Sequence, residues 1–458
     1  MKLNGRLKVP RFVASKIYNI IKNFAFISPL VFTTLFIFVV ILVATWFLPY
    51  SFDVDSKYYK DIAEGRIYNV VKPFSNRILH PIIVGMMRKF FGINTDLSFF
   101  VVGVLSLIVL VLGVSLIAKS IIPYPAVIAF LLSPFLLQLF RDYYLPDIFH
   151  AAILALFFVC LLHSKTRMAL LCLFLLHLTR ESTLLLTLII LILGLHRRLW
   201  EITVGAILVA VVGIIITSYV ANLGQPNIHD LNDVVYMLFK VPYNFLRNVF
   251  GLILWTNTLA SNNPEAFPQE PLLKISVPSY LPLGAIHSLG IYGFNASYPL
   301  STITHLLSTF GVLPSFVVFN LNKLKRQLMK GEVHMVFSLA LLYGLLSFVI
   351  GTSVGASVSR LIGYGWPCFW IACPYIIRLY YHSNRKFLAR LLLYHILACY
   401  FPFLLTIIPV KTTFLKIIVL CFLLIVHGKT LHEAARSGNY NYISLTEEDY
   451  QVCRANKP

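Results

Sequence analysis

The chain has 458 residues, of which 58% are hydrophobic and only 12% charged, and its mean hydropathy is +0.80. A soluble domain cannot hide that much apolar surface, so the composition excludes a water-soluble protein. Apolar stretches of roughly 17–25 residues, long enough to cross a hydrocarbon core about 30 Å thick, recur between Ile27 and His427. Because these stretches are continuous rather than alternating, they favour helices over a barrel. The sequence therefore predicts an all-α polytopic membrane protein.

In chain order, a basic leader at 1–26 precedes the first apolar stretch, which has no small-residue cleavage site where a secretory signal needs one and is expected to remain as a helix. A transmembrane domain at 27–427 and a polar tail at 428–458 follow. The two stretches flanking Thr179–Ser182 are short, and they form either one long helix or a re-entrant pair. Hydropathy predicts about twelve spans in all, near Ile27–Tyr50, Leu97–Ala118, Ile121–Phe140, Ile148–His163, Met168–Leu178, Thr183–Leu195, Ile202–Ala221, Leu300–Asn320, Met335–Thr352, Leu361–Tyr381, Phe387–Pro409 and Phe414–Val426.

The charge distribution predicts the orientation. The formal net charge is +20, and basic residues concentrate in short loops such as 165–167, 197–198, 323–330 and 385–390. The positive-inside rule places these loops and both termini in the cytoplasm, and most acidic residues then lie outside. Such a basic face suits an anionic lipid bilayer, whereas no basic and aromatic module indicates nucleic acid. The seven cysteines show neither a disulfide framework nor the spacing of a zinc site.

Two predicted exterior segments, 51–96 and 222–298, are too long to be simple connectors. The first is predicted to form two juxtamembrane helices, roughly Ser56–Tyr68 and Asn76–Phe91. The second helix has the pattern of an amphipathic helix lying in the membrane interface. One of its faces carries Leu79, Ile82, Ile83, Met86 and Phe90, and another carries Arg77, His80, Val84 and Arg88.

The first candidate for chemistry is the pair Asp53 and Asp55, which follows the first predicted span. Two carboxylates one residue apart can share a divalent cation, or one can act as a general base while the other orients it. Acidic residues beside a helix end at a membrane surface are also common, so ordinary solvated side chains are the alternative interpretation. The pair alone does not decide between them.

The surrounding sequence adds context. Asp53-Val-Asp-Ser-Lys-Tyr-Tyr-Lys-Asp-Ile-Ala-Glu-Gly is followed by Pro73-Phe-Ser-Asn-Arg77-Ile-Leu-His-Pro81, with a looser match at Ser359–Pro367. This order resembles the first exterior loop of the GT-C superfamily of integral membrane glycosyltransferases. In that family an acidic residue or acidic pair follows the first transmembrane helix, and two juxtamembrane helices come next. The resemblance covers mainly residues 1–200, and its individual motifs are degenerate.

The resemblance implies transfer of a sugar from a polyprenyl-phosphate-linked donor to a glycan, lipid or protein acceptor on the extracytoplasmic face. It also implies that Asp53 or Asp55 is the catalytic base. Such a base would remove the proton of the acceptor hydroxyl, while a cation or an arginine would stabilise the departing phosphate. Members of the family differ in metal dependence, so a divalent cation, Mg²⁺ or Mn²⁺, held by Asp53 and Asp55 is left open.

Two more acidic residues, Asp142 and Asp147, lie in the turn between the third and fourth predicted spans, where GT-C enzymes often have another carboxylate. Asp147 is thus a further catalytic candidate and Asp142 a substrate-binding candidate. The structural alternatives are a helix N-cap for Asp147 and a local ion pair for Asp142.

Arg77, Arg180, Glu181 and Arg360 complete the predicted substrate-binding set. A guanidinium group binds phosphate well through its planar fork of donors, so each arginine is a candidate for the phosphate of the lipid donor. The alternative for Arg180 and Glu181 is a structural ion pair in an apolar stretch. The alternative for Arg77 is a side chain that reaches the lipid headgroups.

Two other functions compete with glycosyl transfer. A transporter or flippase of a lipid-linked glycan would also use buried Arg and Glu, and broken helices in two matching halves would favour it. A glycan polymerase or ligase would use the same lipid donor but is expected to place its key residues in the later loop, 222–298. The large first loop with its aspartate pair favours the glycosyltransferase.

Overall fold

The computed structural model describes residues 29–47, 54–225, 233–262, 270–278, 286–330, 333–355, 357–381, 384–407 and 413–437. The predicted basic leader, the tail beyond Ser437 and Asp53 lie outside these residues. Up to residue 221 the described chain forms helices joined by turns and short loops, with one isolated β-bridge residue at Val71. Its helices are α1 (Pro29–Phe47), α2 (Val54–Ala63), α3 (Leu79–Phe91), α4 (Thr95–Ala118), α5 (Tyr124–Leu131), α6 (Pro134–Arg141), α7 (Asp147–Leu162), α8 (Thr166–His177), α9 (Thr183–His196) and α10 (Trp200–Ala221).

The second half combines helices with one small sheet. Short 3₁₀ and π segments at 363–365 and 368–372 link two of its helices. Its elements are α11 (Asp233–Phe250), β1 (Leu252–Thr256), α12 (Asn257–Asn262), β2 (Leu273–Ser276), β3 (Ser288–Phe294), α13 (Ser297–Ser308), α14 (Leu313–Lys330), α15 (Met335–Val354), α16 (Val358–Ile362), α17 (Cys373–Tyr381), α18 (Arg385–Ile407) and α19 (Thr413–Ser437).

Several apolar helices indicate a membrane-embedded protein. Among the described residues, four helices are long and apolar enough to cross a bilayer: α4, α10, α15 and most of α19. The number rises to six if the bent pairs α5–α6 and α13–α14 each form one span. The predicted count of about twelve is therefore not confirmed. Hydropathy counts apolar residues whether or not the helix is broken, and α7, α8 and α9, with 12 to 16 residues, are each shorter than a full crossing requires.

The two helices predicted for the segment 51–96 are present as α2 and α3, although α2 ends at Ala63 instead of continuing to Tyr68. Helix α3 packs against α2 and α4 with the face that carries His80 and Val84, both fully buried. Its apolar residues Met86 and Phe90 are 50% and 78% exposed. This arrangement suits a lipid-facing helix, because the apolar side chains face outward and the inner face packs on protein.

The later segment, 222–298, contains α11 and a three-stranded antiparallel sheet in the order β1-β3-β2. The prediction of a purely helical chain missed this sheet. Helix α11 is fastened to the end of α15 by two asparagines: the Asn248 amide donates to the carbonyl oxygens of Thr352 and Gly355, and the Asn244 amide donates to Val354. The segment is thus attached beside α16.

The two bent helix pairs meet at their breaks. Helices α5 and α6 form an angle of 59°, and α13 and α14 form an angle of 70°. The hydroxyl of Ser133, between α5 and α6, donates a hydrogen bond of 2.5 Å to the carbonyl oxygen of Thr309, just after α13. Both residues are buried, and the rings of Phe135 and Phe310 pack beside them. Two interrupted helices therefore touch where their backbones are free of regular helical bonding.

Candidate functional site

Six of the predicted site residues come together at one end of the helical bundle. Arg77 lies just before α3, Asp55 in α2, Asp147 in α7 and Arg360 in α16, while Arg180 and Glu181 lie between α8 and α9. Side-chain contacts form two groups, one around Asp147 with Arg180, Arg360 and Asp55 and one between Arg77 and Glu181, and the two groups meet at the adjacent residues Arg180 and Glu181. We call them, with Tyr59 and Tyr364, the arginine cluster. It contains three guanidinium groups and three carboxylates, so it is close to neutral overall.

Asp147 is the centre of the cluster. Its carboxylate accepts hydrogen bonds from Arg180 and from the hydroxyl of Tyr364. Its other oxygen, Oδ2, lies 3.5 Å from Nε of Arg360. The side chain is only 2% exposed. Asp147 is the first residue of α7, preceded by Pro146, where a negative charge is favoured by the helix dipole, but its carboxylate is bound by side chains and is not an N-cap.

Arg180 lies in the turn between α8 and α9, which Thr179 and Thr183 hold in place. Both threonine hydroxyls donate to the carbonyl oxygen of Leu176, which also accepts a hydrogen bond from the backbone N–H of Arg180. The guanidinium of Arg180 packs over the ring of Tyr364, with 4.4 Å between Cζ and the ring centre. The local sequence thus ends one helix, begins another and points a cation at Asp147.

Arg180 and Glu181 do not pair with each other. Arg180 binds Asp147, whereas Glu181 accepts a hydrogen bond of 3.1 Å from Nε of Arg77. Arg77 also donates to the Tyr59 hydroxyl at 3.1 Å. Burial acts to lower the pKa of Arg77, but Glu181 and Tyr59 outweigh it and hold the pKa above its ordinary value. Arg77 is therefore a fixed cation of the cluster and not a side chain that extends to the headgroups.

Arg360 is the most loosely held of the three arginines. Its Nη2 lies 3.8 Å from Oδ2 of Asp55, and its Nε has no hydrogen-bond partner although it is buried. Nε of Arg180 is also buried without a hydrogen-bond partner among the described residues, whereas Oδ2 of Asp147 has the 3.5 Å ion-pair contact with Nε of Arg360. Buried polar groups are normally hydrogen-bonded, so the open donors of the two arginines mark a place that can bind a polar ligand.

The remaining predicted residues have different positions. Asp142 forms a 3.0 Å ion pair with its neighbour Arg141, the local pair that was the structural alternative. Asp53 is outside the described residues, so its role stays a prediction. Asp55 faces the guanidinium of Arg360, a cation of the protein itself. Within the part of the chain that is described, no three His, Cys, Asp or Glu side chains gather as metal ligands, and the predicted metal at Asp53 and Asp55 remains untested.

Sequence reasoning missed three members of the site. Tyr59 comes four residues after Asp55, Tyr364 four residues after Arg360, and His150 three residues after Asp147. Each therefore projects on the same side of the chain as a residue that was predicted. His150 packs edge-on against Tyr364, with 5.9 Å between ring centres. The spacing of one helical turn was a signal that could have found them.

An apolar groove of about 400 Å³ lies on the other face of α7. It is bounded by α3, α4 and α7 and lined by Ile83, Met86, Met87, Phe90, Phe91, Val102, Leu105, Ser106, Val109, Phe149, Ala152, Ile153 and Leu156. Phe149 is two residues from Asp147, so the groove begins beside the first turn of the helix that carries the cluster. His80 of α3 contacts the same Phe149: its ring is fully buried against the rings of Phe99 and Phe149, and burial lowers its pKa to about 3.

Comparison with known proteins returned no relative. No family model, no curated protein and no solved structure matches this chain. The function is therefore inferred from the geometry of the cluster and its surroundings.

Proposed function

We propose that this protein is a glycosyltransferase that moves a sugar from a polyprenyl-phosphate-linked donor to an acceptor on the extracytoplasmic face of the membrane. The observation that carries the proposal is the arginine cluster, in which Nε of Arg180 and of Arg360 are buried without a hydrogen-bond partner. Guanidinium groups with open donors, inside a largely apolar bundle, suit a phosphate that arrives on a lipid.

The two described carboxylates nearest Arg360 have different roles in this proposal. The side chain of Asp55 is 28% exposed, whereas that of Asp147 is 2% exposed and bound by Arg180 and Tyr364. A base must reach the proton that it removes, so Asp55 is the base of choice and Asp53 is the alternative. Asp147 is then a positioning residue, because it holds Arg180 and Arg360 in place.

In the reaction, the acceptor hydroxyl gives its proton to the aspartate as its oxygen attacks the anomeric carbon. The bond from that carbon to the phosphate oxygen breaks, and polyprenyl phosphate leaves with the electron pair. Arg360 and Arg180 stabilise the negative charge that develops on the phosphate. Inversion at the anomeric carbon is the simplest outcome of this single displacement.

The apolar groove supports a lipid substrate. Twelve of its thirteen lining residues are apolar, and its outer wall includes the exposed Met86 and Phe90 of α3. A polyprenyl chain lying in the groove would pass the first turn of α7 and bring its phosphate towards Arg360. When the polyprenyl chain leaves the bilayer for the groove, it exchanges contacts with lipid for contacts with protein, and this exchange alone stabilises the complex little. The contacts to the phosphate would therefore supply the specificity.

The test is release of free polyprenyl phosphate from labelled polyprenyl-phosphate sugars by purified protein in liposomes with candidate acceptors. Loss of a general base is expected to slow release by roughly 10²- to 10⁴-fold in Asp55→Asn. Asp96→Asn is the matched control, because Asp96 is bound to Lys60 away from the cluster. Asp53→Asn is measured in parallel. Release that survives in both Asp53→Asn and Asp55→Asn would discard the assignment of the base.

Transport of a lipid-linked glycan is the second candidate, favoured by a different observation. The breaks of the two bent helix pairs touch at Ser133 and Thr309, and interrupted helices that cross inside a membrane are typical of transporter binding sites. His395 of α18 faces the backbone carbonyls of Phe130 and Phe310 at these breaks. The same liposomes distinguish the two functions, since movement of the donor across the bilayer without release of polyprenyl phosphate would replace the glycosyltransferase with a transporter.

A further inference from the structure

A second positively charged site lies away from the arginine cluster, between α13 and α19. Nζ of Lys416, in the first turn of α19, donates a 3.2 Å hydrogen bond to the hydroxyl of Ser301 in α13. His305 follows Ser301 by four residues and therefore lies on the same face of α13. Three side chains that can donate hydrogen bonds to an anion thus lie on two helices that pack side by side.

Lys416 lacks the partner that a lysine in a membrane helix usually has. Among the described residues, no carboxylate lies within ion-pair distance of it. Its position does not stabilise the helix either, because a cation in the first turn opposes the helix dipole. A lysine near the end of a membrane helix extends towards the lipid headgroups, so the position of Lys416 favours an anionic headgroup as its ligand.

A further cation supports the same site. Helix α13 presents Tyr298 and Ser301, three residues apart, on one face. The guanidinium of Arg247 packs over the ring of Tyr298, with 4.5 Å between Cζ and the ring centre. Arg247 likewise has no carboxylate within ion-pair distance in the part of the chain that is described. Two cations without acidic partners thus face one side of α13.

We propose that Lys416, Ser301 and His305 form a binding site for a phosphate group, most simply the headgroup of an anionic lipid. The ammonium group of Lys416 supplies the charge, the Ser301 hydroxyl a second donor and His305 a third. Basic pockets between transmembrane helices bind lipid phosphates in this way. The site goes beyond the proposed glycosyl transfer, because none of its three residues belongs to the arginine cluster.

Binding is measured with the purified full chain in a detergent that contains zwitterionic lipid. Short-chain phosphatidic acid is titrated, and saturable stabilisation against heat reports binding. Removing a charged hydrogen-bond partner is expected to weaken binding roughly tenfold or more in Lys416→Met and less in Ser301→Ala. Lys416→Arg should keep binding within about threefold, since it keeps the charge. Lys429→Met is the matched control, because Lys429 is an exposed lysine of the same helix.

Inorganic phosphate is titrated in the same way to identify the source of the phosphate. Competition by inorganic phosphate would show that the phosphate group alone is recognised. Failure to compete, with saturable binding of phosphatidic acid, would show that the lipid is the ligand. The proposal is overturned if phosphatidic acid does not bind saturably, if Lys416→Met and Ser301→Ala both bind as the wild type does, or if Lys429→Met loses as much affinity as Lys416→Met. Asp55→Asn should bind normally, which separates this site from the proposed enzyme activity.

Discussion

Replacing Asp147 with asparagine should lower the free energy of unfolding more than replacing a single residue in an exposed ion pair of the protein. The side chains of Asp147 and Arg180 are 2% and 7% exposed, so neither can be solvated when its partner is lost. Removing one member of a buried pair costs about 3–5 kcal/mol. Asp147→Asn should reach the upper part of this range, because the three guanidinium groups of Arg77, Arg180 and Arg360 would then repel each other without the central carboxylate.

Arg180→Gln should cost less, towards about 3 kcal/mol, because Asp147 would still have Arg360. At their separation of 3.5 Å, an effective dielectric constant of about 20 gives a gross attraction of about 5 kcal/mol, part of which already offsets the desolvation of both groups. The double variant Asp147→Asn/Arg180→Gln should be more stable than the sum of the single effects predicts, since it removes both charges.

The free energy of unfolding is measured by titration with sodium dodecyl sulfate in mixed micelles, with tryptophan fluorescence as the signal. Trp366 and Trp370 are fully buried and should report the loss of packing. Lys60→Gln is the control: Lys60 and Asp96 approach to 2.8 Å but are 30% and 52% exposed, so the expected loss is within about 1 kcal/mol. If the free energy of unfolding of Asp147→Asn lies within about 1 kcal/mol of the wild-type value, the conclusion that burial makes the ion pairs of the cluster strongly stabilising is refuted.

Two further predictions use the same assay. His80 has a pKa lowered to about 3 by burial, against an ordinary value of 6.5, so the unfolded chain binds a proton that the folded chain excludes and stability falls as the pH drops below 6.5. In His80→Phe, the decrease in the free energy of unfolding between pH 7 and pH 5 should be smaller by about 2 kcal/mol than in the wild type. An unchanged pH dependence would contradict this prediction. A Cβ atom at Gly344 would collide with the backbone nitrogen of Cys368, so Gly344→Ala should cost on the order of 1–3 kcal/mol. Gly428→Ala, with open space around it, should be neutral or stabilising by up to about 1 kcal/mol, and equal losses in both variants would argue against tight packing of α15.

The sequence allowed much of the cluster to be predicted for one physical reason. Ionisable groups within or beside apolar stretches are costly unless they find partners, so Asp147, Arg180, Glu181 and Arg360 were expected to matter. The structure brings these residues together with Arg77 and Asp55, although they are up to about 300 positions apart in the chain. The energetic cost of charges in apolar stretches can thus identify residues of a site from the sequence, but it does not show which of these residues contact each other.

The partners themselves could not be predicted. Arg180 and Glu181 are adjacent, and adjacent residues point in different directions, so Arg180 binds Asp147 at the start of α7 while Glu181 binds Arg77 just before α3. The packing of α3 was equally hidden, since the same amphipathic pattern permits its apolar face to contact either protein or lipid. The predicted number of spans is not confirmed, because hydropathy does not show where a helix is too short or is broken, as at Ser133.

The cluster also indicates which arginine can change partners during a reaction. Arg180 is held by Asp147 and by the ring of Tyr364, and Arg77 is held by Glu181 and Tyr59 at 3.1 Å. Among the described residues, Arg360 has longer contacts, of 3.5 and 3.8 Å, to two carboxylates. An incoming phosphate would displace the weakest contacts first, so Arg360 should turn from Asp55 to the phosphate. That exchange would weaken the ion pair between Arg360 and Asp55 as the negative ligand arrives, and a weaker attraction to a cation makes a carboxylate a stronger base. Binding of the donor would then itself prepare the proposed base.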